Sequence, residues 1–289
     1  METPARARCS NGDPAALIWR KPAARAAANN RAIDPRQIPM SMPLPPASET
    51  ACAGARHQVA CSSCGLRELC LPVGFSDAEM ARLDDLVGTR RTVRRGEALF
   101  RRGDRFTALF AVRGGFFKTC TTSEDGRDQV TGFQMGGELL GLDGFDDETH
   151  RCDAIALEDS QVCAIPYEAI EHLSQAFPAL QRQLRRVMSR EIVREHGVMM
   201  LLSGMRADER VAAFLVNLAT RLQARGFSPS SFVLRMTRQE IGTYLGLQLE
   251  TVSRCFSRLH GDGILDVRQR DIRIVDTEAL RRLVPGTSG

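Results

Sequence analysis

The chain has 289 residues, a hydrophobic content of 43% and a formal net charge of +4 at neutral pH. Its length allows about two domains of roughly 100–200 residues, and the weak positive charge predicts that any contact with nucleic acid is a local basic patch. Because no run of about 18 apolar residues occurs and the N-terminus lacks the apolar core of a signal peptide, we expect a cytoplasmic protein.

Residues 1–55 are predicted to be a disordered tail. Eight of the 13 prolines fall here, among alanines and arginines and without apolar periodicity. Such a composition cannot bury enough apolar surface to offset the entropy that is lost on ordering. The Arg-rich, acid-poor beginning is also compatible with an organelle transit peptide.

The segment CSSCGLRELC, residues 61–70, carries three thiols, those of Cys61, Cys64 and Cys70. Two thiols separated by two residues suggest a metal site, but zinc sites usually add a second such pair or a pair of histidines. The sequence has no second pair, so a fourth ligand would come from a distant position. Nine cysteines is an odd number, which favours reduced thiols or metal ligation over a disulfide framework.

From residue 90 the sequence alternates short apolar stretches with glycines, which predicts an antiparallel β-roll or sandwich within a domain at 56–177. Two further strands are expected near Ala154–Leu157 and Gln161–Ile165, before Pro166. Such a roll suits a sensor domain, a sugar-binding domain or a metal-dependent cupin enzyme. The cupin interpretation needs clustered histidines, and the histidines in or near the roll include no HxH pair. That pattern argues against an enzyme.

A long helix is predicted at 178–203, beginning at a proline. Its apolar positions form a heptad seam with spacings of 4, 3, 4 and 3, at Met188, Ile192, Glu195, Met199 and Leu202. One interpretation is a helix that packs on its own roll, with Glu195 at the edge of the apolar stripe. The other is a helix that pairs with its own copy across a twofold axis.

The C-terminal part, 204–289, is predicted to be a winged helix-turn-helix. Thr237 is a helix N-cap with Glu240 three residues later, as in a capping box, and Gly246 supplies the turn before a second helix at about 248–259. The segment ILDVRQRDIRIVD then reads as a two-stranded wing. In this motif the second helix enters the major groove of DNA.

Four side chains are candidates for DNA contact. Glu250, Ser253 and Arg254 share one face of the second helix, where Arg can bind guanine bidentately, Glu can accept from cytosine and Ser can bond to either base. Arg238 begins the first helix and is expected to contact phosphate. The sequence contains no nucleophile–base constellation and no phosphate loop, so we do not expect an enzyme.

With these motifs, the chain is identified as resembling the FNR branch of the CRP/FNR family of bacterial transcription regulators over roughly 55–285. CSSCGLRELC before the roll, SQVCAIPY near its end and ETVSR in the second helix carry the resemblance. It implies an α+β protein with an N-terminal antiparallel β-roll, which is a jelly roll of the cyclic-nucleotide-binding type, a long dimerisation helix and a C-terminal winged helix-turn-helix.

The resemblance also implies the cofactor, a [4Fe–4S] cluster. Its ligands would be Cys61, Cys64 and Cys70, with Cys163 of SQVCAIPY as the fourth. Soft thiolate donors suit either an iron–sulfur cluster or zinc, and Cys152 is the rival for the fourth position. The other cysteines are not expected to be ligands; they are Cys9, Cys52, Cys120 and Cys255.

The function implied is a transcription regulator that senses oxygen through a labile cluster. With the cluster intact, the family's proteins dimerise, bind a palindromic site resembling TTGAT–ATCAA and contact RNA polymerase to control genes for low-oxygen growth. Glu195 matches an acidic position that opposes dimerisation, whereas Ile192 supplies attraction. Residues 124–126 and Asp159 resemble polymerase-contacting surfaces.

The alternative is a CRP-like regulator gated by a cyclic nucleotide, by haem or by zinc. The segment GELLGLDGFDDETHRC places Glu138 and Arg151 where the nucleotide-binding branch has a glutamate and an arginine. Cys152 and Asp153 replace the small residues that follow in that branch, and an acidic Asp153 would repel a phosphate. The sequence therefore favours the iron–sulfur interpretation.

Overall fold

The computed structural model describes residues 60–70, 74–87, 89–123 and 125–285. The predicted tail, 1–55, lies outside these residues. The predicted order of a β-roll, a long helix and a winged helix-turn-helix is confirmed. Within the described ranges, no helix is both long and apolar enough to cross a membrane.

The β-roll consists of two four-stranded antiparallel sheets. One has the order β1-β8-β3-β6 and the other the order β2-β7-β4-β5. The strands are β1 (Thr89–Val93), β2 (Ala98–Phe100), β3 (Ala108–Gly114), β4 (Phe116–Thr122), β5 (Asp128–Met135), β6 (Leu139–Leu140), β7 (Asp153–Ala156) and β8 (Ser160–Pro166). The two strands expected before Pro166 correspond to β7 and β8.

Three helices flank the roll. The first, α1 (Asp77–Leu86), precedes it and begins at a capping box formed by Ser76 and Glu79. The second, α2 (Tyr167–Ala176), follows β8 directly. The third, α3 (Pro178–Gly204), is the predicted long helix, and its buried side chains all lie in its first turns.

The C-terminal part has a hydrophobic core built on α4 (Ala207–Gln223), α5 (Arg238–Leu245) and α6 (Leu249–Gly261). The capping box of Thr237 and Glu240 is confirmed, and Gly246 lies at the predicted turn, in a left-handed conformation with φ of 62°. The wing contains β10 (Leu265–Arg268) and β11 (Asp271–Ile274), and α7 (Thr277–Arg282) follows.

The wing has one strand more than the sequence pattern predicted. β9 (Ser231–Val233) pairs antiparallel with β11 and forms a three-stranded sheet in the order β10-β11-β9. With three residues, it is too short to show the alternation by which a strand is recognised in a sequence.

The winged helix-turn-helix packs against the face of the roll that β4 and β5 form. Phe133 of β5 lies 5.1 Å, between ring centroids, from Tyr244 of α5 and 6.0 Å from Phe214 of α4. Lys118 of β4 donates to Glu240 of α5 at 2.8 Å. The two domains therefore share apolar and polar contacts in addition to their covalent connection.

Candidate metal centre and DNA-reading surface

Four cysteines line one cavity beneath the segment 60–70. They are Cys61, Cys64, Cys70 and Cys163, and the rest of the lining is mostly aliphatic. The cavity measures about 30 Å³, which is room for about one water molecule.

Contacts from two helices hold this segment over the roll. The backbone N–H of Cys61 and the hydroxyl of Ser62 both donate to the carboxylate of Asp84 in α1, the hydroxyl at 2.6 Å. Gln183 of α3 donates through its Nε2 to the backbone carbonyl of Cys70 at 3.3 Å. Hydrogen bonds therefore tie both ends of the cysteine motif to helices.

Cys163, in contrast, lies on a strand in the middle of a sheet. In β8 it stands opposite Arg90 of β1 on one side and Ala111 of β3 on the other. A residue paired on both sides has little freedom to move. Three thiols on a turn segment and one thiol on a rigid strand thus meet at the cavity.

Burial strongly disfavours negative charge on these sulfurs. Desolvation, followed by the negative charges of Cys70 and Asp84, raises the pKa of Cys61 to about 12. Desolvation also raises the pKa of Cys163, although the charge of Arg113 opposes this shift. The thiolate form needed for metal ligation therefore requires a compensating cation in the cavity.

The residues present fit an iron–sulfur cluster in their chemistry. Four sulfur donors converge, and Arg67 and Arg113 also line the cavity, where they can offset excess negative charge on a thiolate-ligated cluster. The described residues contain no group of three or more His, Cys, Asp or Glu side chains placed to hold a metal ion. Cluster thiolates bind four different irons, so they stand further apart than the ligands of one zinc ion.

Cys152, the rival for the fourth position, lines a different cavity. This second cavity, about 670 Å³, lies between the roll and α3. There the Sγ of Cys152 lies 3.5 Å from the Oδ2 of Asp143, and burial, followed by the charge of Asp143, raises its pKa. Cys120 in β4 and Cys255 in α6 are buried in the cores of their own domains. Cys9 and Cys52 lie outside the described residues.

Glu138 and Arg151, considered above as nucleotide contacts, do not face one cavity. The carboxylate of Glu138 pairs with Arg221, in α4, and with Arg225, which follows that helix. Arg151 lines the 670 Å³ cavity and pairs with Asp147. The two side chains therefore have separate partners, and the sequence offered no local signal for those of Glu138.

The predicted base-reading face of α6 is exposed. Glu250, Ser253 and Arg254 all point to solvent, and the opposite face is buried. Arg254 has one nearby side-chain contact, from its Nη2 to the hydroxyl of Thr251 at 3.4 Å. This face presents a guanidinium, a carboxylate and a hydroxyl, which are the groups that read base edges in the major groove.

Arg238 occupies a more enclosed position than a surface phosphate contact suggests. Its guanidinium lies over the ring of Phe256 in α6, with Cζ 3.3 Å from the ring centroid. Its Nη2 donates to the carbonyl of Gln269 in the wing at 3.4 Å, and burial lowers its pKa to about 10. Arg238 thus joins the start of α5 to both α6 and the wing.

The heptad seam of α3 is largely uncovered in the single chain. Ile192 is 56% exposed and Met199 is 62% exposed. Neighbouring apolar side chains are exposed as well, including Val193 and Met200. Glu195 lies along the same stretch and is exposed. The apolar character of this face is unexplained by the packing of α3 on its own roll.

Comparisons with known proteins agree with both halves of this architecture. Residues 90–177 match the cyclic nucleotide-binding domain family, and residues 209–283 match the Crp-like helix-turn-helix domain family. Among solved structures, FixK2 from Bradyrhizobium japonicum has a TM-score of 0.64 and 30% sequence identity, and the match covers 69% of this chain and 98% of that chain.

Curated relatives match over most of their length. The transcriptional activator protein FnrA of Stutzerimonas stutzeri is 46% identical over 239 residues, which is 83% of this chain and 98% of the relative. The fumarate and nitrate reduction regulatory protein of Yersinia pestis is 40% identical over 227 residues, which is 78% of this chain and 91% of the relative.

Proposed function

The chain belongs to the FNR branch of the CRP/FNR family of transcription regulators, and we propose that it senses oxygen through a [4Fe–4S] cluster held by four cysteines. It is a DNA-binding regulator and not an enzyme. In the proposed mechanism, the intact cluster favours a homodimer that binds a palindromic site resembling TTGAT–ATCAA and controls genes for low-oxygen growth.

The convergence of four thiols on one cavity carries this proposal. Cys61, Cys64, Cys70 and Cys163 would hold the cluster. When bound, a [4Fe–4S] cluster would supply a redox-labile group that oxygen converts. The roll contributes a rigid ligand on β8, and the segment 60–70 contributes three ligands that can move relative to it.

The hydrogen bonds of the segment 60–70 to two helices support a coupling between cluster binding and dimerisation. In the proposed mechanism, the position of this segment differs between the cluster-bound and the cluster-free protein. That segment is tied to α3 through Gln183 and to α1 through Asp84. Its displacement therefore alters the contacts of the helix on which dimerisation would depend.

The exposed face of α3 supports a twofold interface. Ile192 and Met199 would be buried against a second copy, where apolar burial is favourable by about 25 cal/mol per Å². Glu195 would approach its own copy near the axis, and like charges repel more strongly in a partly desolvated seam than in water. Such an interface is marginal, which allows loading of the cavity to decide between monomer and dimer.

The exposed base-reading face of α6 supports the proposal of a palindromic DNA site. Two exposed copies of Arg254, Glu250 and Ser253 would enter successive major grooves, because a twofold protein reads a twofold site. We propose in addition that the dimer contacts RNA polymerase through the exposed region around Asp159 and the loop at 124–126, of which Glu124 lies outside the described residues.

Purification without oxygen, followed by an absorbance spectrum and assays of iron and sulfide, tests the proposal. The expected result is a coloured protein with iron and sulfide in equal amounts, which binds the palindrome without oxygen and loses that binding in air. A colourless protein, or one that contains zinc, would contradict it. Cys120→Ser is the matched control for loss of colour, because Cys120 is also buried in the roll but lies away from the cavity.

A further inference from the structure

The turn between β5 and β6, which consists of Gly136, Gly137 and Glu138, contacts two functional parts of the molecule. On one side it carries the cysteine-bearing segment, and on the other it holds the DNA-binding domain. These contacts join residues far apart in the sequence.

The contact with the DNA-binding domain is a buried ionic cluster. The carboxylate of Glu138 accepts from the Nε of Arg221 at 3.1 Å and from the Nη2 of Arg225 at 2.6 Å. Arg225 also donates to the carbonyl of Gly136, and Arg221 donates to the carbonyl of Phe133. The two arginines therefore hydrogen-bond to the side chain of Glu138 and to the backbone carbonyls of Phe133 and Gly136.

Burial makes this cluster sensitive to the loss of any member. The Arg225 side chain is 6% exposed and that of Glu138 is 21% exposed. Burial alone would raise the pKa of Glu138, but the charges of Arg221 and Arg225 outweigh it and hold the pKa below its usual value. Removing one partner from such a pair leaves an uncompensated charge in a poorly hydrated place.

The contact with the cysteine-bearing segment is steric. Gly137 has φ of +86°, and an added Cβ there would lie 2.8 Å from the Cβ of Leu69. An added Cβ at Gly136 would lie 3.2 Å from the Cδ1 of Leu66. Leu66 and Leu69 lie between Cys64 and Cys70, so the segment that carries the three thiols rests directly on the turn.

We propose that Glu138 is a positioning residue for DNA binding, and that the turn 136–138 transmits movement of the cysteine-bearing segment to the orientation of the DNA-binding domain. The ionic cluster fixes how α4 sits on the roll, and Leu66 and Leu69 determine where the turn lies. The proposal rests on the proposed function in one respect only, which is that cluster binding or loss is the event that moves the cysteine-bearing segment.

The orientation of the DNA-binding domains matters because the two half-sites of a palindrome have a fixed separation and a fixed rotation about the duplex. The two recognition helices of a dimer must lie about 34–36 Å apart, on the same face of the duplex. Adding one base pair between half-sites shifts one of them by about 3.4 Å and rotates it by roughly a tenth of a turn. A DNA-binding domain that is held firmly on the roll binds the altered spacing more weakly, whereas a loosely held domain reorients and binds both spacings.

The first measurement compares binding to palindromes whose half-sites are one base pair closer, at the preferred spacing, or one base pair further apart. Glu138→Gln is expected to reduce the preference among spacings by about tenfold, within the 5–150-fold range of coupling between sites. Variants that are merely less stable lose affinity for all spacings equally. Glu278→Gln is the control, because Glu278 pairs with Arg281 at the surface, within α7.

Arg225→Met should change the spacing preference in the same direction as Glu138→Gln, and the double variant should lose less than the sum of the two single variants, because the contact between Glu138 and Arg225 is common to both. Retention of the spacing preference by Glu138→Gln, or losses that add in the double variant, would overturn the proposal.

The second measurement is hydrogen exchange on air-exposed protein, which requires neither a cluster nor a dimer. Exchange in peptides that cover 133–138 should rise by about tenfold in Glu138→Gln, remain unchanged in Glu278→Gln and rise in Leu69→Ala. Unchanged exchange at 133–138 in Glu138→Gln would refute the positioning role of Glu138. Unchanged exchange there in Leu69→Ala would refute the transmission of movement from the cysteine-bearing segment to the turn. Failure to assemble a cluster would count against the proposed function and leave this measurement intact.

Discussion

Cys61, on the segment before the roll, and Cys163, in the middle of a sheet, line the same cavity, where burial raises the pKa of Cys61 and the charge of Cys163 adds to the shift. Two thiols from distant parts of the chain therefore interact electrostatically. Such a pair resists ionisation until a cation is supplied, and this links metal binding to the position of the segment.

Single replacement of a proposed cluster ligand is expected to abolish or severely weaken cluster assembly. Cys61→Ser, Cys64→Ser, Cys70→Ser and Cys163→Ser each remove one thiolate of four, and the hydroxyl that remains is a harder and weaker donor. Iron content and promoter response in anaerobic cultures measure the loss.

Cys120→Ser and Cys255→Ser are the controls, since both thiols are buried away from the cavity. Loss of the cluster in Cys152→Ser, together with its retention in Cys163→Ser, would transfer the fourth position to the second cavity.

Replacement of Arg254 is expected to relax sequence choice at one base pair. Arg254→Ala removes a side chain that can bind guanine bidentately, which costs about 1–3 kcal/mol of discrimination. Binding to a panel of single-base variants measures the effect. Equal weakening across the panel would remove Arg254 from base reading.

Arg238→Ala is expected to weaken all sequences about equally. Its guanidinium contacts both the ring of Phe256 and the wing carbonyl of Gln269. Its loss therefore removes packing between α5, α6 and the wing as well as any phosphate contact. The salt dependence of binding separates the two contributions, because loss of one phosphate contact lowers the slope by about 0.9. A selective effect at one base pair would argue for base reading instead.

The seam of α3 is expected to control oligomeric state. In the proposed dimer, Glu195→Ala removes a pair of like charges near the twofold axis and should give dimers that bind the promoter even in air, since a coupling of about 1–3 kcal/mol is easily overridden. Ile192→Glu should give monomers even with the cluster present. Sedimentation of both variants with and without oxygen measures this. A monomeric Glu195→Ala protein in air would leave Glu195 as an ordinary surface residue.

The ionic cluster at Glu138 predicts a dependence of stability on acid pH. Because Arg221 and Arg225 hold the pKa of Glu138 below its usual 4.5 in the folded state, this group contributes stability above the unfolded pKa. That contribution is lost as the pH falls through the folded pKa. Urea unfolding should therefore show a steeper loss below about pH 4.5 in the wild type than in Glu138→Gln. Parallel profiles would contradict the assignment.

Much of the fold was predictable because local patterns specify it. The capping box at Thr237, the turn at Gly246 and the end of the strands at Pro166 are short-range signals, and the structure confirms each of them. The exposed face of α6 likewise follows from helical periodicity. By contrast, β9 was missed, because three residues cannot display a period.

Residue type and spacing set the chemistry available to this protein, because the thiols, the base-reading face of α6 and the apolar seam of α3 are all visible in the sequence. Which of these groups come into contact depends on how the elements pack. Pairing of β8 between β1 and β3 brings Cys163 beneath the cysteine-bearing segment, and packing of α4 on the roll brings Arg221 and Arg225 to Glu138. Such long-range contacts depend on how whole elements pack, and periodicity within one element carries no information about its distant partners.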